Sequence, residues 1–420
     1  MRLSRSLMVA AAPFVLVFAC SSSKSGFSDN PNPTGDDGGS LFNTGDGGFG
    51  EGGTGVGGDP ATCQEAASSK SYVGCDYWPT VTANLVNEVF DFAVAVANVG
   101  TTPAQVTVTG NGANKQVTVA PNSLQKIFLP WNAALKGGQQ GPSASVLAKQ
   151  GAFHLVSDRP VVVYQFNPIE FKAAGGEPGK NWSACVPQAG APACYSYSND
   201  ASLLLPSTAM TGAYRIMGSQ GFSRHPVNQF TGQVDTSQPV QDIAGTYFVV
   251  TGTADGTNVS VKLGSKSQVV AGGSIAAANA GGTLTFTLDA GDVAEVVAPK
   301  GRNYDFSGSL LIASKPVQVI TGVPCMDFPF DTQACDHVEE TVFPAETLGK
   351  HYVVIPPTGP KQNAVGHVVR LYGNVDGTTL TYTPSKPASC PATLDAGQVA
   401  ECGEVSADFE ITGDKEFGVA

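Results

Sequence analysis

Short runs of β-branched and aromatic residues, broken by glycine, proline and asparagine, recur along most of the chain. Residues 92–97, 106–109 and 117–119 are runs of this kind, which is typical of strands joined by turns. Residues 160–164 and 247–250 are continuously apolar, as strands inside a sandwich or barrel are. No segment has the long 3.6-residue periodicity of an amphipathic helix. The pattern predicts an all-β protein.

The strand pattern also repeats within the chain. The stretch TLDAGDVAEV at residues 287–296 returns as TLDAGQVAEC at residues 393–402, with eight of ten positions identical. Similar segments follow Pro206 and Pro344, which are 138 residues apart, and one β-sandwich domain takes about 100 residues. We therefore expect tandem β-sandwich-like modules. A β-propeller-like arrangement is the alternative fold, but propeller blades repeat at about 40–50 residues.

The repeats predict three β modules, at residues 62–205, 206–343 and 344–420. The third stops inside the equivalent of the strand at residues 316–320, and ending there would leave an edge unpaired. We expect the third module to be a truncated copy.

Residues 1–19 have the features of a secretory signal peptide. Arg2 and Arg5 precede an apolar run at residues 7–19. A membrane-spanning helix needs about 20 apolar residues, so this run is too short to be one and has the length typical of a signal peptide. The run ends in Val-Phe-Ala before Cys20, which resembles a bacterial lipobox and implies a lipid anchor on Cys20. An ordinary cleaved signal with an incidental cysteine is the alternative. The serines that follow Cys20, with no aspartate, favour export to the outer membrane and cell surface.

Residues 20–61 are rich in Gly, Ser, Asp and Asn and have no apolar periodicity. Such a segment buries too little surface to offset its backbone entropy. The G-x-G-x-x-G match at residues 45–50 has neither the preceding strand nor the following helix that a dinucleotide site requires. We interpret residues 20–61 as a flexible tether.

Besides Cys20, the chain has eight cysteines, an even number that agrees with an oxidising compartment. They form neighbouring couples whose members are 9 to 12 residues apart, so local disulfides are the simplest connectivity. Zinc is disfavoured because no C-x-x-C pair exists and no histidine has zinc-ligand spacing from a couple. The couples are Cys63 with Cys75, Cys185 with Cys194, Cys325 with Cys335, and Cys390 with Cys402.

Composition narrows the classes of function. Only 14% of the 420 residues are charged, against about 25% in ordinary domains. A helical bundle is disfavoured because helix-rich proteins need many Lys and Arg residues, and this chain has 23. The net charge of −12 removes the cationic face that nucleic-acid binding needs. G-x-S-x-G, H-E-x-x-H and P-loop motifs are missing from the sequence. We predict no catalytic residues, no cofactor and no nucleic-acid partner.

Two clusters of residues are candidates for binding. The first surrounds the Cys325–Cys335 couple, where carboxylates could hold calcium, but no EF-hand spacing is present and we favour a solvated acidic loop without a metal. The second is aromatic and could stack on glycans, although packing in cores and interfaces is the more common role. The acidic set is Asp327, Asp331, Asp336, His337, Glu339 and Glu340, and the aromatic set is Trp78, Trp131, Trp182, Tyr72, Tyr77 and Tyr195.

Several stretches resemble a known family. YVGCDYWPT at residues 72–80, FDFAVAVAN at residues 90–98 and CDHVEE at residues 335–340 are similar to bacterial lipoproteins with an IgGFc-binding-protein N-terminal domain. Such lipoproteins are numerous in myxobacteria-like genomes, and the resemblance covers nearly all of residues 72–420. The family takes its name from an animal protein that binds antibody Fc, and transfer of that ligand is an analogy at the level of the fold.

These observations predict a non-enzymatic, lipid-anchored cell-surface protein whose tandem β modules serve adhesion or ligand binding. Its expected partners are the membrane, through Cys20, and an unidentified surface protein or glycan. One alternative is a secreted carbohydrate-active enzyme or hydrolase, which needs paired carboxylates about 5–9.5 Å apart in a cleft. The other is a purely architectural envelope or matrix protein.

Overall fold

The computed structural model describes residues 60–138, 141–185, 194–196, 198–228, 233–332, 335–359 and 361–420. Nearly all regular structure in these residues is β-strand, which confirms the predicted all-β class. The signal peptide, Cys20 and residues 21–59 lie outside the described residues. Within the described part of the chain, each helix is too short or too polar to cross a membrane.

The first eight strands are β1 (Gly74–Tyr77), β2 (Phe92–Asn98), β3 (Ala104–Gly110), β4 (Ala113–Val119), β5 (Ser123–Leu129), β6 (Val146–Ala148), β7 (His154–Phe166) and β8 (Ala201–Leu203). Seven of them form one sheet with the path β4-β3-β7-β2-β5, and β1 and β8 also pair with β7. The long strand β7 pairs with β3 through its first half and with β2 through its second half. The eighth strand, β6, joins a different sheet.

The next twelve strands are β9 (Ala213–Arg215), β10 (Phe222–Arg224), β11 (Gln241–Ala244), β12 (Tyr247–Gly252), β13 (Thr257–Lys262), β14 (Gln268–Val269), β15 (Ala278–Asn279), β16 (Thr283–Leu288), β17 (Val293–Val297), β18 (Leu310–Ala313), β19 (Val317–Met326) and β20 (Asp336–Thr341). Their two main sheets have the orders β20-β19-β12-β17-β6 and β16-β13-β18-β9. β10 pairs with β11, and β14 pairs with β15. The first group of strands therefore contributes β6 to a sheet of the second group.

The last seven strands are β21 (His351–Val354), β22 (His367–Gly373), β23 (Thr378–Thr383), β24 (Thr393–Leu394), β25 (Val399–Val405), β26 (Phe409–Gly413) and β27 (Phe417–Val419). They form sheets of the orders β21-β26-β23-β24 and β25-β22-β27. Every pairing between these strands is antiparallel.

Among the described residues, two short α-helices accompany the strands. Helix α1 (Cys63–Ser69) begins with a capping box, in which the Thr62 side chain accepts from the Glu65 backbone N–H and the Glu65 carboxylate accepts from the Thr62 backbone. Helix α2 (Ala133–Lys136) follows Asn132, whose side chain caps it. Single 3₁₀ turns lie at Trp182–Ala184, Ser207–Ala209 and Ala345–Thr347.

The apolar run in β12 is buried because that strand has a core on each face. Tyr247 and Val249 belong to the hydrophobic cluster that contains β2, β3 and β7, whereas Phe248 and Val250 belong to the cluster that contains β13, β16 and β18. A third cluster lies between the two sheets of the last seven strands. All three are in one compact unit, Asp46–Ala420. The module boundaries given by the sequence remain predictions.

A buried polar seam joins the first two groups of strands. The Glu339 side chain in β20 is fully buried, and its carboxyl oxygens accept four hydrogen bonds from residues of the first group. The donors are Thr82 Oγ1 at 2.5 Å, Asn167 Nδ2 at 2.9 Å, Gln165 Nε2 at 3.1 Å and Ser202 Oγ at 3.1 Å. Because buried polar groups are costly when they lack partners, this seam fixes how the two groups pack.

Four disulfide bonds close local loops, and they join the couples that the cysteine spacing indicated. Members of a couple are 9 to 12 residues apart, and a loop of that size restricts the unfolded chain by about 2–3 kcal/mol. The bonds are Cys63–Cys75, Cys185–Cys194, Cys325–Cys335 and Cys390–Cys402.

Candidate functional site

The loop that connects β19 to β20 projects two aromatic side chains. The Cys325–Cys335 disulfide closes it at its base. Phe328 and Phe330 are each 37% exposed, although phenylalanine side chains are usually buried. Exposed apolar groups on a loop held in place by a covalent link are typical of a contact surface for another molecule.

This loop forms one wall of a cleft of about 150 Å³. Phe222 and Met326 lie in the cleft and are buried, and Phe328 and Phe330 lie along it. Val368 from β22 and Glu401 and Glu404 from β25 line it as well. The cleft therefore lies between the second and the third group of strands.

Two buried arginines fix the relative position of these two groups. The Arg370 Nη2 atom is 2.5 Å from Asp305 Oδ2, and Arg370 also donates to the Gly218 carbonyl. Arg215 donates to the Gly308 carbonyl and to the Asn374 side chain. Charged groups that are buried and hydrogen-bonded across an interface hold it in one geometry. The cleft is thus formed by rigidly connected walls.

Asp327 is the most unusual group in the cleft. It is 8% exposed, and its Oδ2 atom is buried without a hydrogen-bond partner among the described residues. Burial raises the pKa of Asp327 to about 6, against an ordinary 3.8, and Arg224 and Arg302 offset part of that effect. A buried carboxylate oxygen with no donor favours binding of a group that brings a donor or a positive charge.

The outer end of the loop is held by Asp331 and Arg302. The Asp331 carboxylate accepts from the His225 backbone N–H at 2.9 Å and lies 2.6 Å from His225 Nδ1. Burial alone would raise the pKa of Asp331, but the hydrogen bonds and charge of His225 lower it below 3.8. The Arg302 guanidinium stacks 4.2 Å from the centre of the Phe330 ring. These contacts orient Phe330 toward the cleft.

The size and charge of the cleft indicate its chemistry. Pockets for drug-sized ligands have volumes of about 300–1,000 Å³. The volume of this cleft, about 150 Å³, is well below that range. Among the described lining residues, Arg302 is the one basic side chain, against the carboxylates of Asp327, Glu401 and Glu404. Arg224 near Asp327, and Arg370, whose Nε atom is 3.8 Å from Glu401 Oε2, offset part of the negative charge. A single basic side chain that protrudes from a larger molecule fits both the volume and the charge.

The structure separates the acidic residues that the sequence placed together. Asp327 lines the cleft, Asp331 binds His225, and Asp336 is exposed at the start of β20. His337 and Glu339 point inward from β20 to the polar seam, whereas Glu340 points to the opposite, exposed side. In the described part of the chain, no three His, Cys, Asp or Glu side chains converge as metal ligands would.

The six aromatic residues do not form one platform. Trp78 is buried and stacks on His154, with ring centres 4.2 Å apart, and Tyr77 is fully buried. Trp131 donates to the Phe90 carbonyl and packs on Phe92. The remaining three lie apart, with Trp182 near Phe90 and Lys180, Tyr195 against Phe171, and Tyr72 half-exposed. Contacts within the fold therefore explain the positions of most of these six aromatic side chains.

Sequence reasoning missed most of the cleft. Phe328 and Phe330 flank a proline inside the disulfide loop, and two aromatic residues in a short polar loop were a usable signal. Glu401 and Glu404 gave no signal, because they come near Asp327 only through packing of strands more than seventy residues later in the chain.

Comparisons with known proteins point to one family. Residues 200–420 match the family described as IgGFc binding protein. The human IgGFc-binding protein is 34% identical to this chain over 182 residues, which cover 41% of the chain and 3% of the human protein. The chain thus spans a small part of the length of that relative. No solved structure matches the chain.

Proposed function

The chain belongs to the IgGFc binding protein family, and on that premise we propose that it is a non-enzymatic binding protein that captures a protein ligand in the cleft beside the Cys325–Cys335 loop. The family match covers β8 and all later strands, and these include both walls of the cleft. The name of the human relative describes binding of a protein, the Fc part of IgG.

The observation that carries this proposal is the unpartnered Asp327 oxygen beside two exposed phenylalanines. A lysine or arginine side chain of the ligand pairs with Asp327, and its aliphatic part packs on Phe328 and Phe330. Aromatic residues next to a buried charge are the usual composition of the residues that dominate binding energy in protein interfaces. The apolar rings exclude water and strengthen the charge pair.

We further propose that the protein is exported and presented on a cell surface. Lipid on Cys20 anchors it, and the Gly-rich residues 20–61 act as a tether. As a flexible coil, a tether of this length spans about 35 Å. That distance lifts the β modules clear of the membrane headgroups and lets the cleft meet a ligand.

Binding of Fc and Fab fragments to the full chain tests the proposal. Biolayer interferometry compares the wild type with a double variant, Phe328→Ser with Phe330→Ser, and with Phe343→Ser as the matched control. Phe343 is 43% exposed and lies outside the cleft lining. We expect Fc to bind and Fab not to bind, and we expect the double variant to weaken Fc binding by about tenfold or more.

Two outcomes would count against the proposal. Equal Fc affinity in the wild type and the double variant would show that the ligand binds elsewhere than the cleft. Failure of the wild type to bind Fc would show that this chain does not share the ligand named for its human relative.

A further inference from the structure

Two strands of the protein carry the repeated sequence but differ in what lies beside them. β17 is in the stretch TLDAGDVAEV and β25 is in TLDAGQVAEC. β17 pairs with β12 on one side, as β25 pairs with β22. In this alignment Val293, Ala294 and Glu295 correspond to Val399, Ala400 and Glu401.

The outer edge of β17 is covered by β6. The pairing is antiparallel, with Val293 opposite Ala148, Ala294 opposite Leu147 and Glu295 opposite Val146. Leu147 packs against the hydrophobic core of the second group of strands. Lys149 follows the paired residues, and its Nζ atom lies 2.6 Å from Asp292 Oδ2 and 3.6 Å from Asp289 Oδ2.

The outer edge of β25 has no such cover. In the described part of the chain, β25 ends its sheet and pairs with β22 alone. Val293, Ala294 and Glu295 are each 0% exposed. By contrast, Val399 and Ala400 are partly exposed and the Glu401 side chain is 42% exposed. Besides the cover by β6, Val293 packs in the core that contains β2 and β7, and Glu295 accepts from the Ala83 N–H, so the difference in exposure has both causes.

The free backbone groups of this edge can be identified. The Gln398 carbonyl accepts from the Gly373 N–H on the β22 side, as the Asp292 carbonyl accepts from the Gly252 N–H on the β12 side. Because backbone groups alternate along a strand, the N–H and C=O groups of Val399 and Glu401 point to the open edge. Arg370, opposite Glu401, exchanges both of its backbone hydrogen bonds with Ala420 instead, which agrees with this direction.

The open edge is also acidic. Asp395 keeps the position of Asp289, and like Asp289 it caps a turn through one carboxylate oxygen, here by accepting from the Gly377 N–H. Asp395 and Glu401 are exposed, and no lysine or arginine lies in β25, although Arg370 Nε of β22 is 3.8 Å from Glu401 Oε2. Gln398 takes the place of Asp292, so Asp395 is the carboxylate that remains for a basic residue at the position that Lys149 takes in β6.

We propose that the edge of β25 at Val399–Glu401 binds an extended, basic segment of a partner protein, which adds to the sheet as an antiparallel strand. The segment places an apolar residue opposite Ala400, as Leu147 lies opposite Ala294, and a lysine or arginine near Asp395. Backbone hydrogen bonds between the segment and Val399 and Glu401 supply the affinity, and every second side chain of the segment supplies selectivity. Glu401 also lines the cleft, so the edge adjoins the cleft, but binding at the edge does not need Asp327.

A peptide that copies residues 144–150, Ala-Ser-Val-Leu-Ala-Lys-Gln, is the probe. It is capped at both ends, labelled with a fluorophore, and titrated with the full chain while anisotropy is measured. We expect saturable binding that weakens about fivefold to tenfold when the lysine is replaced by glutamate.

Backbone N-methylation gives the sharpest comparison. The N–H of the alanine at position 148 faces the paired strand, whereas the N–H of the leucine at position 147 faces away, because Ala294 bonds to β12. Methylation at the alanine abolishes binding, and methylation at the leucine leaves it within about twofold. Equal effects of the two methyl groups, or no binding of the parent peptide, would overturn the proposal.

Two variants locate the site on the chain. Val399→Pro removes one donor from the open edge and leaves the β22 ladder intact, since proline is tolerated on the solvent side of an edge strand. Because a lysine side chain also fits the cleft, the comparison is made in the Asp327→Asn chain, where we expect the peptide still to bind and Val399→Pro to weaken that binding at least tenfold. Loss in Asp327→Asn with full binding in Val399→Pro would assign the peptide to the cleft and overturn the edge proposal.

Discussion

Replacing Glu339 with alanine tests whether the polar seam holds the first two groups of strands together. The substitution removes the acceptor of four buried hydrogen bonds. The hydroxyls of Thr82 and Ser202 can rotate to other acceptors. The amide donors of Gln165 and Asn167 cannot, because the oxygen of each amide accepts a backbone N–H of the segment before β2.

The expected loss of stability follows from these two amide donors, which the substitution leaves without a hydrogen-bond partner. A buried donor without a partner costs about 1–3 kcal/mol. We therefore expect the two amide donors together to lower the free energy of unfolding of Glu339→Ala by about 2–6 kcal/mol. At roughly 1.3 °C per kcal/mol for the compact unit Asp46–Ala420, Tm falls by roughly 3–8 °C.

Differential scanning calorimetry and tryptophan fluorescence measure the effect, since Trp78 lies in the segment next to the seam. Asp336→Ala is the matched control, because Asp336 is exposed on the same strand. We expect this control to stay within about 0.5 kcal/mol of the wild type. A Tm for Glu339→Ala within 1 °C of the control value would refute the structural role given to the seam.

Three other predictions concern the loop, its carboxylate and the anchor. Replacing both Cys325 and Cys335 with serine should lower stability by about 2–3 kcal/mol and weaken Fc binding in the same interferometry assay; unchanged Fc binding would show that the disulfide does not order the cleft. Because the pKa of Asp327 is raised from 3.8 to about 6, its contribution to stability is complete below about pH 3.8 and is lost as pH rises through 6. The Tm of Asp327→Asn should therefore rise relative to the Tm of the wild type between pH 4 and pH 7. A difference in Tm that stays constant over this range would contradict the raised pKa. Cys20→Ala should move the protein from the membrane fraction to the soluble fraction, and retention in the membrane fraction would contradict lipid anchoring.

The strand content of the fold was predictable because local residue patterns determine it. The apolar run at residues 247–250 has the composition of a strand with both faces covered, and Tyr247 and Phe248 do pack into different cores. The cysteine couples were readable for a similar reason, since loops of 9 to 12 residues bring their ends together without help from the rest of the fold.

The site was much less predictable, because it depends on contacts between distant strands. Strand alternation places His337 and Glu339 on the buried side of β20 and Glu340 on the other, so six acidic and histidine residues that are close in sequence separate in space. Asp327 gave no sign of its burial, which results from Phe222 and from the approach of β22 and β25. Likewise, no local signal shows that β6 covers β17, because that pairing spans about 150 residues.

Binding of a short lysine peptide to the cleft tests the central claim most directly. Saturation-transfer NMR of acetyl-Gly-Lys-Gly-amide with the full chain compares the wild type with Asp327→Asn, and a norleucine peptide serves as the control ligand. We expect transfer to the lysine methylenes at pH 7.5 in the wild type, and its loss in Asp327→Asn and at pH 5, where a carboxyl with a pKa of about 6 is protonated. Equal transfer in the wild type and in Asp327→Asn at pH 7.5 would contradict the claim that this carboxylate captures a basic side chain.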